Sequence, residues 1–231
     1  MNDHRRSAAI LAGGLATRLG GRDKSALLVD GRTILDRQID VLAPLVDDLM
    51  IVGHGVTVAQ VFQPSDRSPA LRQAHGAPSS PRGETAAPHL IPGARVIADI
   101  VPGCGPLGGL HAALTAARSD VLFLVACDMP YVSSALVEHL LSLAGDADAV
   151  VPQTERGYHP LCAVYTRACL EPAAAQLADR RLKMLELLHR VRLRAVPIEE
   201  IRRFGAPDRL LANVNTPADY AGLETLQGHK L

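Results

Sequence analysis

The stretch at 121–126 has the sequence VLFLVA, and CDMP follows it at 127–130. Every side chain of 121–126 is apolar, which is typical of a strand buried on both faces of a parallel sheet. Ligands of open parallel sheets bind outside the carboxyl ends of the strands. Asp128, the first charged residue after this stretch, is therefore predicted to face a ligand crevice.

Similar apolar runs alternate with helical patterns along the chain, and this alternation indicates βαβ units. The segment 33–45 shows the helical pattern most clearly, because apolar side chains recur there about every 3.6 residues. The sequence predicts an α/β fold with a single doubly wound, mostly parallel sheet and helices on both faces. The predicted strands are 7–12, 48–53, 94–98, 121–126, 148–152, 160–165 and 192–197, and the predicted helices are 33–45, 107–118, 132–144, 168–178, 182–190 and 217–226.

The segment 54–93 interrupts this alternation. It is rich in proline, glycine, serine, histidine and arginine and has no sustained apolar period. A compact domain seldom contains so long a loop without structure of its own, and such a composition cannot bury enough apolar surface to order itself. We predict a single domain over 1–231 with a flexible insertion at 54–93.

Composition and charge exclude several classes of function. Lys and Arg total 24 and Asp and Glu total 24, so the formal net charge is zero and no global field attracts nucleic acid or an anionic membrane. The apolar runs are far shorter than the roughly 18 residues of a membrane span. The basic start is that of a signal peptide, but Gly13 and Gly14 break the short apolar run after it. The 4 cysteines include no CxxC pair. We expect a cytoplasmic protein with reduced thiols and neither nucleic acid nor membrane partners.

A glycine-rich loop follows the first predicted strand, with the sequence LAGGLATRLGGRDK at 11–24. Its glycines let backbone N–H groups approach a ligand closely, and Arg18 and Lys24 place positive charge beside them. The spacing differs from the dinucleotide motif GxGxxG and from the Walker motif GxxxxGK[ST]. The loop is predicted to bind phosphate groups, and a plain loop between strand and helix is the alternative.

Two aspartates end predicted strands in the same way. Asp128 and Asp99 can each hold Mg²⁺ against phosphate groups, or can cap the following helix. The sequence GCGPLGG at 103–109 opens a predicted helix, whose N-terminus can bind an anion. These segments are expected at the edge of the sheet where the glycine loop begins.

Three polar residues in the C-terminal half of the chain are weaker candidates for the functional site. His159 precedes a predicted strand, and a single histidine there is more often structural than catalytic. Asn213 and Asn215 precede the last predicted helix, where helix capping before Pro217 is a sufficient local explanation.

The ordered set LAGGLATRLGGRDKSAL, PGCGPLGGLHAAL, ACDMP and NVNTPADY resembles the molybdenum cofactor guanylyltransferase family of nucleotidyltransferases. The resemblance covers nearly the whole chain apart from 54–93, and it implies a fold like that of nucleotide-diphospho-sugar transferases. The implied activity is transfer of GMP from GTP to molybdenum-bound molybdopterin, which yields the guanine dinucleotide cofactor and pyrophosphate. The implied cofactor is Mg²⁺, and the implied substrates are GTP and molybdopterin. Cofactor-assembly proteins or acceptor enzymes remain open as further partners.

The resemblance also implies roles for residues that match the family motifs. Asn213 and Asn215 match a segment assigned to the molybdopterin side, and His159 is a further candidate there. One position departs from the family, because Val52-Gly53 stands where an asparagine is expected to contact the nucleotide. Nucleotide binding is implied for Leu11, Ala12, Gly13, Gly14, Arg18, Lys24, Asp99 and Asp128, with catalysis by Arg18, Lys24 and Asp128 and metal binding by Asp128.

The same resemblance bears on the base. Relatives that use CTP typically have LAAG where this chain has LAGG, so Gly13 replaces an alanine. A missing Cβ leaves room for a purine and exposes a backbone N–H to the guanine carbonyl oxygen. The alternatives are a molybdopterin cytidylyltransferase, another small-molecule nucleotidyltransferase, and, in a different class, a non-catalytic GTP-binding partner protein in cofactor assembly.

Overall fold

The computed structural model describes residues 5–12, 28–29, 31–53, 94–98, 100 and 103–214. The segment 54–93 and the predicted helix at 217–226 lie outside these residues. A single domain with a flexible insertion therefore stays a prediction. The candidate site residues outside the described ranges are Gly13, Gly14, Arg18, Lys24, Asp99 and Asn215.

The longer elements confirm the strands and helices predicted for the described part of the chain. The two-residue strands and the one-turn helices are too short to leave a period in the sequence. The strands are β1 (Arg6–Leu11), β2 (Leu28–Val29), β3 (Arg32–Thr33), β4 (Asp48–Gly53), β5 (Arg95–Ala98), β6 (Val121–Ala126), β7 (Ala149–Thr154), β8 (Gly157–Tyr158), β9 (Cys162–Thr166) and β10 (Leu193–Val196). The helices are α1 (Ile34–Leu42), α2 (Gly105–Ala116), α3 (Ser134–Ser142), α4 (Leu170–Ala178), α5 (Met184–Leu188), α6 (Ile198–Ile201) and α7 (Pro207–Leu210), with 3₁₀ turns at Ala43–Leu45, Arg167–Cys169 and Arg202–Phe204.

The main sheet has the strand order β10-β7-β9-β6-β1-β4-β5, and β8 pairs with β7. Strand β1 is parallel to β4 and β6, β4 is parallel to β5, and β7 is parallel to β10. Strand β9 is antiparallel to both β6 and β7. The connection from β7 to β9 is a short hairpin rather than a crossover helix, and this fixes the antiparallel direction of β9. The mostly parallel α/β sheet is as predicted.

Helices cover both faces of the sheet, as the doubly wound fold requires. In β1, Ala8 and Ile10 join a core cluster with α1 and α3. The alternate residues Ala9 and Leu11 join a second cluster with α2, α4 and α5. Because successive strand residues point to opposite faces, a strand covered on both sides must be apolar throughout. No helix of the described ranges is long and apolar enough to cross a membrane.

A buried charged cluster fastens the amino ends of the strands. Arg95 at the start of β5 donates to both carboxylate oxygens of Asp48, from Nε and Nη2, at 2.8 Å each. The same carboxylate accepts from the Arg118 N–H and the Ser7 hydroxyl. Burial raises the pKa of the Asp48 carboxyl, but the bonds and charge of Arg95 and the Arg118 N–H outweigh it, so the pKa is lowered. This cluster lies at the sheet edge opposite the predicted crevice.

Candidate active site

The strand order changes direction next to β1. From β1 the chain adds β4 and β5 on one side, and it then returns to place β6 on the other side. The crevice between β1 and β6 is a topological switch point, where open α/β sheets bind ligands. Leu11 is the last residue of β1, and Asp128 follows β6 after one intervening residue. Two of the sequence-predicted segments therefore flank this crevice.

Backbone hydrogen bonds hold the carboxyl ends of three strands together. Leu11 lies opposite Val52 of β4 and Ala126 of β6. Beyond the strand ends, the Ala12 N–H donates to the Val52 carbonyl at 2.7 Å, and the Cys127 N–H donates to the Leu11 carbonyl at 3.1 Å. The residue that follows β1, Ala12, therefore lies close to Cys127, which follows β6 and precedes Asp128.

Helix α2 approaches the end of β1 very closely. A Cβ atom placed on Gly109 would lie 2.8 Å from Cδ2 of Leu11, so a larger residue at this position would have to displace the Leu11 side chain. At the N-terminus of α2, the Cys104 side chain makes no capping hydrogen bond. Backbone N–H groups of the first turn are therefore not capped by the side chain at that position, which is the arrangement that binds anions. The 103–109 segment and Leu11 come together as predicted.

Asp128 does not cap the following helix. Ser133 caps α3 instead, because its hydroxyl accepts from the Leu136 N–H at 3.3 Å. The helix-cap alternative for Asp128 is therefore wrong. The Asp128 carbonyl accepts from the Val214 N–H at 2.8 Å, and this bond brings the segment that begins at Asn213 to the end of β6.

The turn that carries Asp128 is held by a residue that the sequence analysis missed. Gln38 of α1 is 1% exposed, and its Nε2 donates to the carbonyls of Ala126 at 2.8 Å and Met129 at 2.9 Å. The sequence contains a signal for it, because Gln38 is four residues from both Ile34 and Leu42. A polar residue at that spacing interrupts the apolar face of an amphipathic helix.

His159 makes its hydrogen bonds within the hairpin from β7 to β9. Its N–H donates to the Pro152 carbonyl at 2.9 Å, and its Nε2 lies 2.9 Å from Oγ1 of Thr154. Burial lowers the pKa of His159, the charge of Arg156 lowers it further, and Asp208 opposes both. These surroundings favour the neutral form of the imidazole. No hydrogen bond between His159 and Asp128 or Leu11 is found in the described part of the chain.

The departure at the end of β4 is visible in the structure. The Val52 side chain is 1% exposed and packs in the cluster on the α2 face of the sheet, and Gly53 is also buried. Neither residue provides the amide contact that the family resemblance leads one to expect.

Two of the cysteines, Cys162 and Cys169, lie in the core of the sheet. All 4 are free, as the sequence analysis expected, and burial raises the pKa of the Cys162 and Cys169 thiols to about 12. These two thiols are protonated at neutral pH and cannot act as nucleophiles. Within the described ranges, no group of 3 or more His, Cys, Asp or Glu side chains is arranged to hold a metal ion.

A switch-point crevice with a carboxylate on one side and a helix N-terminus on the other is the arrangement in which α/β proteins bind anionic ligands. Residues 8–194 match the family model described as MobA-like NTP transferase domain. The chain belongs to this family and is a nucleotidyltransferase.

Individual relatives agree with this assignment. The chain is 29% identical to the molybdenum cofactor guanylyltransferase of Desulfosudis oleivorans, over 90% of this chain and 88% of the relative. It is 32% identical to the probable molybdenum cofactor guanylyltransferase of Methanosarcina acetivorans, over 93% of this chain and 88% of the relative. A solved structure, molybdopterin-guanine dinucleotide biosynthesis protein A from Archaeoglobus fulgidus, superposes with a TM-score of 0.72 at 22% identity and covers 97% of this chain and 100% of that chain. The family resemblance and the fold class predicted from the sequence are confirmed.

Proposed function

We propose that the protein transfers GMP from GTP to the terminal phosphate of molybdenum-bound molybdopterin. The observation that carries the proposal is the convergence at the switch point of Leu11, the turn at 126–129 that carries Asp128, and the segment that begins at Asn213. The names of the relatives favour guanine as the base and molybdopterin as the acceptor.

The proposed reaction needs no nucleophile from the protein. A terminal phosphate oxygen of molybdopterin attacks the α-phosphorus of GTP, and the bond to the leaving pyrophosphate breaks. A phosphate monoester has a second pKa of about 6, so this oxygen is largely ionised at pH 7 without a general base. The protein contributes positioning and neutralisation of charge.

Asp128 is the proposed ligand of a divalent cation, with Mg²⁺ as the ion. Mg²⁺ is usually bound by one or two carboxylates together with substrate phosphates and waters, so a single partly buried carboxylate at the crevice suits it. When bound, the ion neutralises negative charge on the triphosphate. Asp128 would place a carboxylate oxygen at the carboxyl end of β6, opposite the start of the glycine-rich loop.

The other candidate residues are given roles in nucleotide binding or in pterin binding. Arg18 and Lys24 follow Ala12 in sequence and are proposed to neutralise the triphosphate, and Asp99 follows β5 and is proposed to contact the nucleotide. The pterin side is assigned to Asn213, Asn215 and His159. The remaining nucleotide contacts are assigned to Leu11, Ala12, Gly13 and Gly14.

The proposed activity also implies a cellular compartment and partners. We expect it to act in the cytoplasm on small-molecule substrates. Cofactor-assembly proteins or the enzymes that receive the cofactor are the further partners of this hypothesis.

Product analysis tests the proposal. The protein is incubated with Mg²⁺, molybdenum-bound molybdopterin and each of the four nucleoside triphosphates in turn, and the products are identified by mass spectrometry. We expect the guanine dinucleotide cofactor and pyrophosphate from GTP. A cytosine dinucleotide from CTP instead would indicate a cytidylyltransferase, and tight GTP binding without pyrophosphate release would indicate the binding-protein alternative.

A further inference from the structure

We propose that Gln38 is a positioning residue, which sets the direction of the Asp128 carboxylate by holding the backbone turn at 126–129. The inference rests on the proposed function, since Asp128 is the carboxylate that would bind the cation. We call the backbone of residues 126–129 the Asp128 turn.

One buried amide group holds both ends of the Asp128 turn. The Nε2 atom of Gln38 donates to the Ala126 carbonyl at 2.8 Å and to the Met129 carbonyl at 2.9 Å. The turn is closed on itself, because the Met129 N–H also donates to the Ala126 carbonyl, at 3.3 Å. With both ends fixed, the backbone at Cys127 and Asp128 has little freedom, and the Asp128 side chain leaves it in a set direction.

Other hydrogen bonds hold the interior of the turn and the residue that follows it, whereas Gln38 holds its two ends. The Leu11 carbonyl accepts from Cys127, and the Val214 N–H donates to the Asp128 carbonyl. Arg37 donates from Nε to the carbonyl of Pro130 at 3.3 Å, one residue beyond the turn. Among the side chains of the described residues, that of Gln38 donates to both end carbonyls of the turn.

The cost of burying Gln38 argues against a role in packing alone. Its Oε1 atom is buried and has no hydrogen-bond partner among the described residues. Burial of an unsatisfied polar atom is unfavourable, whereas leucine or methionine would continue the apolar face of α1 without that penalty. The two donated bonds are therefore what glutamine supplies at this position.

Substitution of Gln38 by methionine tests the inference, because methionine keeps the approximate volume and removes both donors. The measurement is Mn²⁺ binding by electron paramagnetic resonance in the presence of a non-hydrolysable GTP analogue. Substitution of a residue that orients a metal ligand typically weakens metal affinity by about 10- to 100-fold. We expect Gln38→Met to weaken Mn²⁺ binding at least about tenfold, while the affinity for the analogue without metal is unchanged.

Gln176 provides a matched control on the other face of the sheet. It is 0% exposed, its Nε2 donates to the Lys183 carbonyl at 2.9 Å, and its Oε1 also lacks a partner in the described part of the chain. Gln176→Met should lower the melting temperature and leave Mn²⁺ affinity unchanged. An equal loss of Mn²⁺ affinity in both variants would overturn the inference, because it would reflect general destabilisation.

Asp128→Asn, measured in the same way, separates this inference from the proposed function. Loss of Mn²⁺ binding in Asp128→Asn together with wild-type binding in Gln38→Met overturns the role of Gln38 alone. Wild-type binding in Asp128→Asn overturns the cation role of Asp128, and the role of Gln38 falls with it.

A second variant covers the case in which Gln38→Met does not fold. In Gln38→Glu the neutral carboxyl still donates one hydrogen bond, whereas the carboxylate repels both carbonyls. Burial raises the pKa of such a carboxyl toward neutrality. Between about pH 6 and about pH 8, we expect Mn²⁺ affinity of Gln38→Glu to fall relative to the wild type. The inference would be contradicted if the ratio of the two Mn²⁺ affinities stayed constant over this pH range while the variant had a lower melting temperature.

Discussion

Asp128 is partly buried just beyond the end of β6, and hydrogen bonds fix the backbone around it. Its carbonyl accepts a hydrogen bond from the Val214 N–H, and the helix that follows is capped by Ser133, so the Asp128 carboxylate is not the cap of that helix. We predict that Asp128→Asn lowers kcat about a thousandfold, since the lost charge corresponds to several kcal/mol of transition-state stabilisation. Initial rates at limiting Mg²⁺ check this, with the melting temperature as the control. Retention of more than about a tenth of the turnover would contradict the role.

Gly109 tests the contact between α2 and the end of β1. An added Cβ would meet Cδ2 of Leu11 at 2.8 Å, so Gly109→Ala must displace the Leu11 side chain beside the nucleotide crevice. We predict an increase of about fivefold in KM for GTP, equivalent to about 1 kcal/mol. Gly145→Ala is the matched control, because a Cβ there meets nothing within 4 Å. Equal KM values for the two variants would show that Leu11 does not contact the nucleotide.

At the scale of the elements, the Asp48 cluster links stability to pH. The pKa of the Asp48 carboxyl is lowered from its ordinary 3.8, so its contribution is complete above that value and is lost as the pH falls through the folded-state pKa. We predict that Asp48→Asn lowers the free energy of unfolding by about 3 kcal/mol at pH 7, because Arg95 loses its partner. The difference from the wild type should shrink as the pH falls below 3.8.

Denaturant unfolding at several pH values checks this prediction. Asp120→Asn is the control, since the Asp120 side chain is 84% exposed in its ion pair with Arg167. Its effect should stay within about 1 kcal/mol at every pH. The prediction would be contradicted if the difference in free energy of unfolding between the wild type and Asp48→Asn were the same at pH 7 and in the acid range. The ionised Asp48 carboxylate would then not contribute to stability.

The elements were predictable where burial leaves a pattern in the sequence. Strand β6 is apolar throughout because helices cover both of its faces, and α1 shows the period of its buried face. The pattern contains no information on which strand pairs with which, so the position of β9 between β6 and β7 required the structure. Gln38 was missed for a related reason, since periodicity arguments count apolar residues and pass over a polar residue whose partners are backbone carbonyls distant in sequence.

At the scale of the whole molecule, the candidate site is a property of topology. The chain has no net charge, and the return of the chain from β5 to β6 brings the described candidates Leu11, Ala12 and Asp128 to one edge of the sheet. Because parallel strands carry their C-terminal residues to the same edge, the approach of Leu11 to Asp128 could be predicted from the sequence. The bond from Val214 to Asp128 could not, since it joins segments that no strand pairing connects.

The base is the part of the proposal on which the alternatives differ most sharply. A site that bonds the guanine carbonyl oxygen through the backbone at Gly13 leaves that N–H unsatisfied when cytosine is bound. Such a mismatch costs about 2 to 4 kcal/mol. Steady-state kcat/KM for GTP and for CTP, measured on the same preparation with Mg²⁺ and molybdenum-bound molybdopterin, tests the central claim most directly. We predict a preference for GTP of at least about thirtyfold, whereas equal use of GTP and CTP would contradict the guanylyltransferase function.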